Sequence, residues 1–397
     1  MHVAVLGAGY AGLGVTRKLE QSLPPEVDIT LVNDGPNHVL THEVHRAIRR
    51  PAVADAISIP LADVLDRAEI GSEPVEQFDA ETGEVTLSSG ETFTYDYGAV
   101  CFGSDTAYYG IDGLQDHAHP LKTLDDATAI RADALDTIDA GGDIVVGGAG
   151  LSGIQVAGEL AALAREESDE TTEDTIDETT EDTTEDTTAT PDDVSITLLE
   201  QLDTVAPGFP EQFQQAVHDA LDAAGVEIHT DTAVVEVDDE TVVTDKRDVS
   251  YDTLVWTGGI TGQRAANGDR PTVRADLKLT ERTFALGDAA RVVDANGEAV
   301  PASASAAIRE AKTAATNITR LVEHEQSGDS FRPRLEQYRF DVPGWLVSVG
   351  DGAVAQIGPT VLTGKAAKAA KTTVGAGYLT TVGATRNAVE LAEEELS

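Results

Sequence analysis

The chain has 397 residues, enough for two or three cores, and its 71 acidic and 27 basic residues leave a formal net charge of -44. So acidic a surface disfavours free nucleic acid, and none is expected as a partner. Cys101 is the only cysteine, which excludes an intrachain disulfide and a Cys-x-x-Cys relay, and with them any mechanism that needs a cysteine pair. The acidity is not a tail. The stretch 166–193 holds 14 acids and no base, yet without it 57 acids still face 27 bases, 19 of them Arg. Repulsion spread this widely points to a salt-rich, screening cytoplasm.

In chain order, His2-Val3-Ala4-Val5-Leu6 reads as a buried strand, followed by Gly7-Ala8-Gly9-Tyr10-Ala11-Gly12 and a helical run. This strand, GxGxxG turn and helix bring backbone N–H groups and a helix N-terminus to a pyrophosphate. Val27 to Val32 is the second strand. Asn33 stands at its tip, 21 residues after Gly12, where a ribose-binding acid is expected. An amide also bonds ribose hydroxyls, and Asp34 follows directly. His38, His42 and His45 lie within eight residues, and the first two have the spacing of one helix face. No cysteine or third carboxylate motif joins them, so no metal is expected. Glu84–Leu87 and Thr92–Tyr95 read as a hairpin, and Tyr95 to Ser104 as a buried strand ending in a Gly-Ser turn.

Asp143-Ile144-Val145-Val146 leads into a second loop, Gly148-Ala149-Gly150-Leu151-Ser152-Gly153. One GxGxxG is a weak signal; two in this context point to an oxidoreductase using two dinucleotides. The stretch 166–193 has 10 threonines and almost no apolar residue, so it reads as a disordered, solvated insert. Gly153 and Glu200 are 47 residues apart, and discounting the 28-residue insert leaves the usual 19 between third glycine and ribose acid. A carboxylate there accepts from both ribose hydroxyls and repels a 2′-phosphate, favouring NADH over NADPH. Strands are expected at Leu277–Leu279 and Thr283–Ala290, a helix from Ala302 to about Glu325, and β-structure through Ile357. Lys365, Lys368 and Lys371 are three of eight lysines. On one helix face they would serve as an anchor on anionic lipid; the competing reading is an alanine-rich helix packed on the body.

These segments, in this order, resemble the type II NADH dehydrogenases, single-chain NADH:quinone oxidoreductases of the two-dinucleotide flavoprotein family, in a haloarchaeal type. The likeness rests on Gly7–Gly12, on Tyr95-Asp96-Tyr97 through Gly103-Ser104, on Gly147–Leu160, on Val255–Ile260, and on Phe284-Ala285-Leu286-Gly287-Asp288-Ala289-Ala290. It implies an α/β fold with two Rossmann-like domains, the NADH domain inserted in the FAD domain. The expected division is 1–114 with 270–330 for FAD, 115–269 for NADH, and a C-terminal segment 331–397.

The resemblance places FAD on Gly7, Gly9, Gly12, Asn33, Asp34, Asn37, His38, Gly103, Asp288, Ala304 and Ser305. It places NADH on Gly148, Gly150, Gly153, Glu159, Glu200 and Gly259, with Gln155 beside the nicotinamide. Departures are Gln155 where the family has Glu, Ser305 and Arg309 where it has glutamines, and Cys101-Phe102-Gly103 for Ala-Thr-Gly. The implied acceptor is a membrane quinone. A soluble reductase for a ferredoxin-like carrier and a non-turnover redox sensor share the same cofactor motifs. The expected location is cytoplasmic, with peripheral membrane contact through the tail; the oligomeric state, a homodimer included, stays open.

Overall fold

The computed structural model describes residues 1–175, 194–328 and 330–396. Two parallel sheets organise it. In chain order the first sheet takes β1 (His2–Leu6), β2 (Asp28–Asn33), β3 (Glu69–Ser72) and β4 (Tyr97–Val100). The second takes β5 (Asp143–Gly147), β6 (Ser195–Leu199), β7 (Val226–His229) and β8 (Thr253–Trp256). Then β9 (Thr283–Ala285) returns to the first sheet, and β10 (Gly344–Val349), β11 (Gly352–Ile357) and β12 (Thr360–Thr363) form an antiparallel third. Strand order is β9-β4-β1-β2-β3 in the first and β7-β6-β5-β8 in the second. The central strands are apolar throughout because both faces are covered: Val3 to Leu6 and Ile144 to Val146 are fully buried.

The helices that matter for the site are α1 (Tyr10–Ser22), α2 (Arg46–Arg49), α3 (Leu124–Ala140), α4 (Leu151–Thr175), α5 (Glu211–Ala223), α6 (Ala304–Ser327), α7 (Gly364–Thr381) and α8 (Thr385–Leu396). A capping box starts α3, with Thr123 accepting from the Asp126 N–H and Asp126 accepting in return. Gly14 lets α1 lie close on α6, since a Cβ there would stand 2.8 Å from that of Ala311. Gly158 does the same for α4 against the β10–β11 turn, where a Cβ would meet the Gly350 nitrogen at 2.6 Å.

Several expectations are corrected. Helix α4 continues to Thr175, so the first ten residues of the acidic stretch are helical. A helix already nucleated propagates cheaply until a breaker appears, and no Gly or Pro stands between Glu159 and Thr175. Its start is also fastened: the Glu166 carboxylate accepts from Arg49 Nε at 2.9 Å. The remainder, 176–193, lies outside the described residues. Leu277–Leu279 is not a strand, because Leu277 is left-handed at φ 64°. Gly287–Ala289 is a 3₁₀ turn. Helix α6 begins two residues later than expected, at Ala304, because Ser303 caps it by accepting from the Ala306 N–H.

Candidate functional site

Both glycine loops sit at the carboxyl end of a central parallel strand, where open α/β sheets bind ligands. Gly7 N–H donates to Val32 O at 2.7 Å, and Gly148 N–H donates to Leu199 O at 2.8 Å. The glycines divide by role in the same way in each loop. Gly7 and Gly148 have φ of 100° and 94°. A Cβ on Gly12 would lie 1.7 Å from Gly7 O, and one on Gly153 would lie 1.8 Å from Gly148 O. Gly9 and Gly150 instead face open space, with nothing within 4 Å of an added Cβ. The close-packed glycines shape the turn, and the open ones leave room for a phosphate to reach backbone N–H groups.

Each loop is latched by the residue at the tip of the next strand. Asn33 Oδ1 accepts from the Ala8 N–H at 2.8 Å, and Asn33 Nδ2 donates to Gly35 O and Asn37 O at 3.0 and 3.2 Å. Glu200 Oε2 accepts from the Ala149 N–H at 2.8 Å and Oε1 from the Leu202 N–H at 2.9 Å. Asn33 thus spends both amide hydrogens on its own loop and retains only its carbonyl oxygen for a ribose. Each Glu200 oxygen has a further lone pair. Asp34 is exposed beside the first latch.

The histidines do not share a helix face. His38 lies in a short strand, Asn37–Val39, and His42 in a 3₁₀ turn, Thr41–Glu43. The fully buried His38 has both nitrogens engaged: Nδ1 faces Ala8 O at 2.7 Å and must donate, so Nε2 accepts from the Tyr378 hydroxyl at 3.0 Å. Burial pushes its pKa down to about 4, so it is neutral. These two bonds hold the first loop against α7. Tyr10, the first residue of α1, stacks edge-on to both His38 and Tyr378 and donates to His42 Nδ1.

Asp288 stands half-buried beyond β9. Lys122 Nζ donates to Ser104 Oγ at 3.2 Å, and Ser104 donates to Asp288 Oδ2 at 3.5 Å. Burial lowers the Lys122 pKa, against the opposing pull of Asp288 and Asp105. Arg270 fastens the turn from outside, donating from Nε to Asp288 O at 2.6 Å and from Nη2 to Ala290 O at 2.9 Å. Gly103, at φ 75°, faces open space beside Ser104. Glu310 of α6 accepts from the Gly287 N–H at 2.7 Å, and burial pushes its carboxyl up to about 7. Ala304 opens α6, and Ser305 Oγ accepts from Arg309 Nη1 at 2.5 Å, so the two substituted positions bond each other.

On the second loop's side, Gln155 Nε2 donates to Ser348 Oγ at 3.3 Å, and His45 Nε2 meets the same oxygen at 2.9 Å. Buried Glu159 lies 3.7 Å from Arg49 Nη1 and faces away from the second loop's glycines, toward α2. Burial raises its pKa to about 7 against the pull of Lys371 and three arginines. Gly259, at φ 154°, lies under the exposed Tyr109, whose hydroxyl donates to Gly258 O at 3.3 Å.

The lysine stripe is also corrected. Lys365 is exposed and Lys368 half-buried, but Lys371 is buried with its Nζ 3.1 Å from Glu43 Oε2. Ala367 packs on Ala353 and Ala355 of β11, and with Lys371 drawn in to Glu43 the expected lipid-facing row is dispersed.

Sequence reasoning missed Lys122, Arg270, Glu310 and Tyr378. Only Lys122 had a local signal, two residues after Pro120 and directly before the capping box. The other three are brought in by tertiary packing.

Two latched loops with open phosphate cradles, on adjoining parallel sheets, define a two-dinucleotide enzyme. The family model for pyridine nucleotide-disulphide oxidoreductases matches residues 1–311, and the chain belongs to that family. The type II NADH:quinone oxidoreductase of Staphylococcus aureus (strain NCTC 8325 / PS 47) is 26% identical over 394 residues, covering 92% of each chain. Among solved structures, NDH2 from Plasmodium falciparum in complex with NADH superposes with a TM-score of 0.82 at 14% identity, covering 99% of this chain and 97% of that one. The sulfide:quinone oxidoreductase of Aquifex aeolicus gives 0.76 at 17% identity, covering 97% and 92%. A ferredoxin reductase from Rhodopseudomonas palustris gives 0.66 at 19%, covering 90% and 82%.

Proposed function

We propose that the chain is an FAD-dependent NADH dehydrogenase that reduces a membrane quinone. What carries the reading is the near full-length likeness to a relative named for that reaction, in a chain whose two phosphate cradles are both open. The residues fit FAD at the first loop: Gly9 leaves space for a pyrophosphate, and Asp288, Ser104 and Lys122 form a hydrogen-bonding row at its far end. When bound, FAD supplies the two-electron redox chemistry between NADH and acceptor.

The chain's own part is binding and orientation. The Gly150 opening takes the NADH pyrophosphate, Glu200 accepts from its ribose, and the Glu200 charge repels a 2′-phosphate. Gln155, anchored on Ser348, orients the nicotinamide end by its amide and carries no proton. We take the domain limits to lie near 114, 270 and 330, a division supported by the return of β9 to the first sheet. Peripheral attachment, a respiratory role and salt adaptation belong to the same proposal. Among the described residues no helix is long and apolar enough to cross a membrane.

A soluble reductase for a small electron carrier has one observation in its favour: α7 buries Lys371 and presents only Val374 as a large exposed apolar side chain. Sulfide oxidation through a cysteine pair is excluded by the lone, buried Cys101. The deciding experiment is NADH oxidation by the FAD-loaded protein in concentrated KCl, with a short-chain quinone or a ferredoxin-type acceptor. Fast turnover with quinone alone supports the reading; flavin reduction without quinone turnover sinks it.

A further inference from the structure

Tyr109 is left-handed at φ 55°, and Gly110 after it at φ 70°. A bulky side chain is costly in that backbone, where Gly or Asn would fit freely. The turn is fixed from both sides by its main chain. Thr106 pairs antiparallel with Ile260, the Ala107 N–H donates to Gly259 O at 3.1 Å, and the Ile111 N–H donates to Tyr108 O at 3.0 Å. The buried Trp256 donates from Nε1 to Ala107 O at 2.9 Å. None of these bonds uses the Tyr109 side chain. Its neighbour Tyr108 packs on the hydrophobic cluster around Leu114 and Trp256, whereas Tyr109 is 67% exposed. Among the described residues its hydroxyl has one bond, to Gly258 O at 3.3 Å. The fold holds an aromatic ring in a strained conformation without packing it, so the ring answers to something outside the fold.

The second sheet fixes where that ring stands. Its strand order is β7-β6-β5-β8; the Gly148–Gly153 loop follows β5, and Glu200 follows β6. A dinucleotide with its pyrophosphate at Gly150 and one ribose on Glu200 must carry its other nucleoside the opposite way, past the end of β8. That end is Thr257-Gly258-Gly259, and it walls the cradle. Thr257 Oγ1 donates between the Gly147 and Gly148 carbonyls, 3.0 Å from each, and a Cβ on Gly148 would stand 2.6 Å from Gly258 Cα. Neither glycine of the wall admits a side chain. A Cβ on Gly258 would meet the Trp256 ring at 2.3 Å, and one on Gly259 would meet the Tyr109 hydroxyl at 1.9 Å. The wall is bare backbone between two aromatic rings, one buried and one open to solvent.

We propose that Tyr109 binds the nicotinamide half of the dinucleotide, offering its exposed ring as the aromatic face at the β8 edge of the cradle. This rests on the reading of the second loop as the NADH site. A flat nicotinamide suits such a face, and its oxidised form adds the attraction of a cation for the ring. Glu200 then holds one end of the ligand and Tyr109 the other, with the pyrophosphate between them.

The test is a calorimetric titration of NAD+ and, separately, of ADP into the FAD-loaded full-length protein in concentrated KCl. NAD+ leaves the flavin oxidised, and ADP carries the adenine half without the nicotinamide. Tyr109→Ala should weaken NAD+ about tenfold, the scale of one base stacked on an aromatic side chain, and leave ADP unchanged. Tyr109→Phe keeps the ring and should stay within about threefold of the wild type. Tyr109→Gly separates binding from folding. It relieves the left-handed strain, so its Tm should rise by about a degree or two while NAD+ affinity falls as in Tyr109→Ala. Unchanged NAD+ affinity in Tyr109→Ala, equal losses of NAD+ and ADP, or a lowered Tm in Tyr109→Gly overturns the proposal. A wild type that takes up neither ligand sinks the NADH reading itself; ADP binding with no selective loss of NAD+ in the variants sinks only the role of Tyr109.

Discussion

The two glycine loops are the same machine with different latches. Both have an opened second glycine, a third glycine pressed on the first, and a strand-tip side chain accepting from the second loop residue at 2.8 Å. The first latch is an amide and the second a carboxylate. An amide donates as well as accepts, so Asn33 also stitches the Gly35 and Asn37 carbonyls into its loop and gives up capacity toward a ribose. Glu200 accepts only, and each of its oxygens keeps a lone pair for the ribose that the proposed reading places there. On the proposed reading, the first loop retains its nucleotide through surrounding structure and the second exchanges one.

The strongest break in this symmetry comes from the third glycines. Gly12→Ala and Gly153→Ala each force a methyl into a backbone carbonyl, costing about 3 kcal/mol or more locally. Gly12→Ala should purify without flavin absorbance. Gly153→Ala should stay yellow and fail to bind NADH in a fluorescence titration. Equal loss of FAD from both would show that the two loops are not separable.

Comparable in size is a pH effect confined to the first loop's support. Glu310 holds the Gly287 N–H, and Gly287 packs on Ala11 of the first loop's helix. Its carboxyl is raised from the model-compound value of 4.5 to about 7 by burial, opposed by the Gly287 N–H and assisted by Asp288. Below 4.5 both folded and unfolded chains hold the proton. As pH rises toward 7 the unfolded chain loses it first, so a contribution of up to about 3 kcal/mol fades and is gone above that pKa. Glu310→Gln does not titrate. Denaturant melts should therefore show it gaining on the wild type from pH 5 to pH 8; a constant difference would refute the burial argument.

A smaller change should convert one latch toward the other. Glu200→Asn is expected to weaken NADH binding by about 1.5 kcal/mol, the scale of a hydrogen bond to a charged group, and to improve NADPH relative to NADH. An unchanged NADH to NADPH ratio would remove Glu200 from the ribose. Least of all, Tyr378→Phe removes the donor to His38 Nε2 and should cost about 1 kcal/mol, read as faster FAD release from the first loop only.

Much of this was legible in the chain. Strand, GxGxxG and helix are local signals, and Gly7–Gly12 and Gly148–Gly153 fall where the pattern puts them. The spacing to Glu200 was recoverable even across the acidic stretch. What escaped were side chains recruited by packing at long range. Tyr378 meets His38 across 340 positions, and Glu310 reaches Gly287 from a helix face that reads only as alanine-rich. The lysine stripe misled for the converse reason: equal spacing on a helix does not say which turn is covered, and Lys371 is buried against Glu43.

The order of the strands also has a consequence for synthesis. The second sheet is drawn from one continuous stretch, Asp143 to Trp256, whereas the first waits for β9 at Thr283–Ala285. Its loop then waits again, for α6 and for Tyr378 near the chain's end. On a ribosome, where domains fold as they emerge, the nucleotide-exchanging half can close while the flavin half is still an open sheet. Flavin loading should thus be among the last events in the life of a nascent chain, and a ribosome stalled before α7 should display a protein that already recognises NADH but holds FAD poorly.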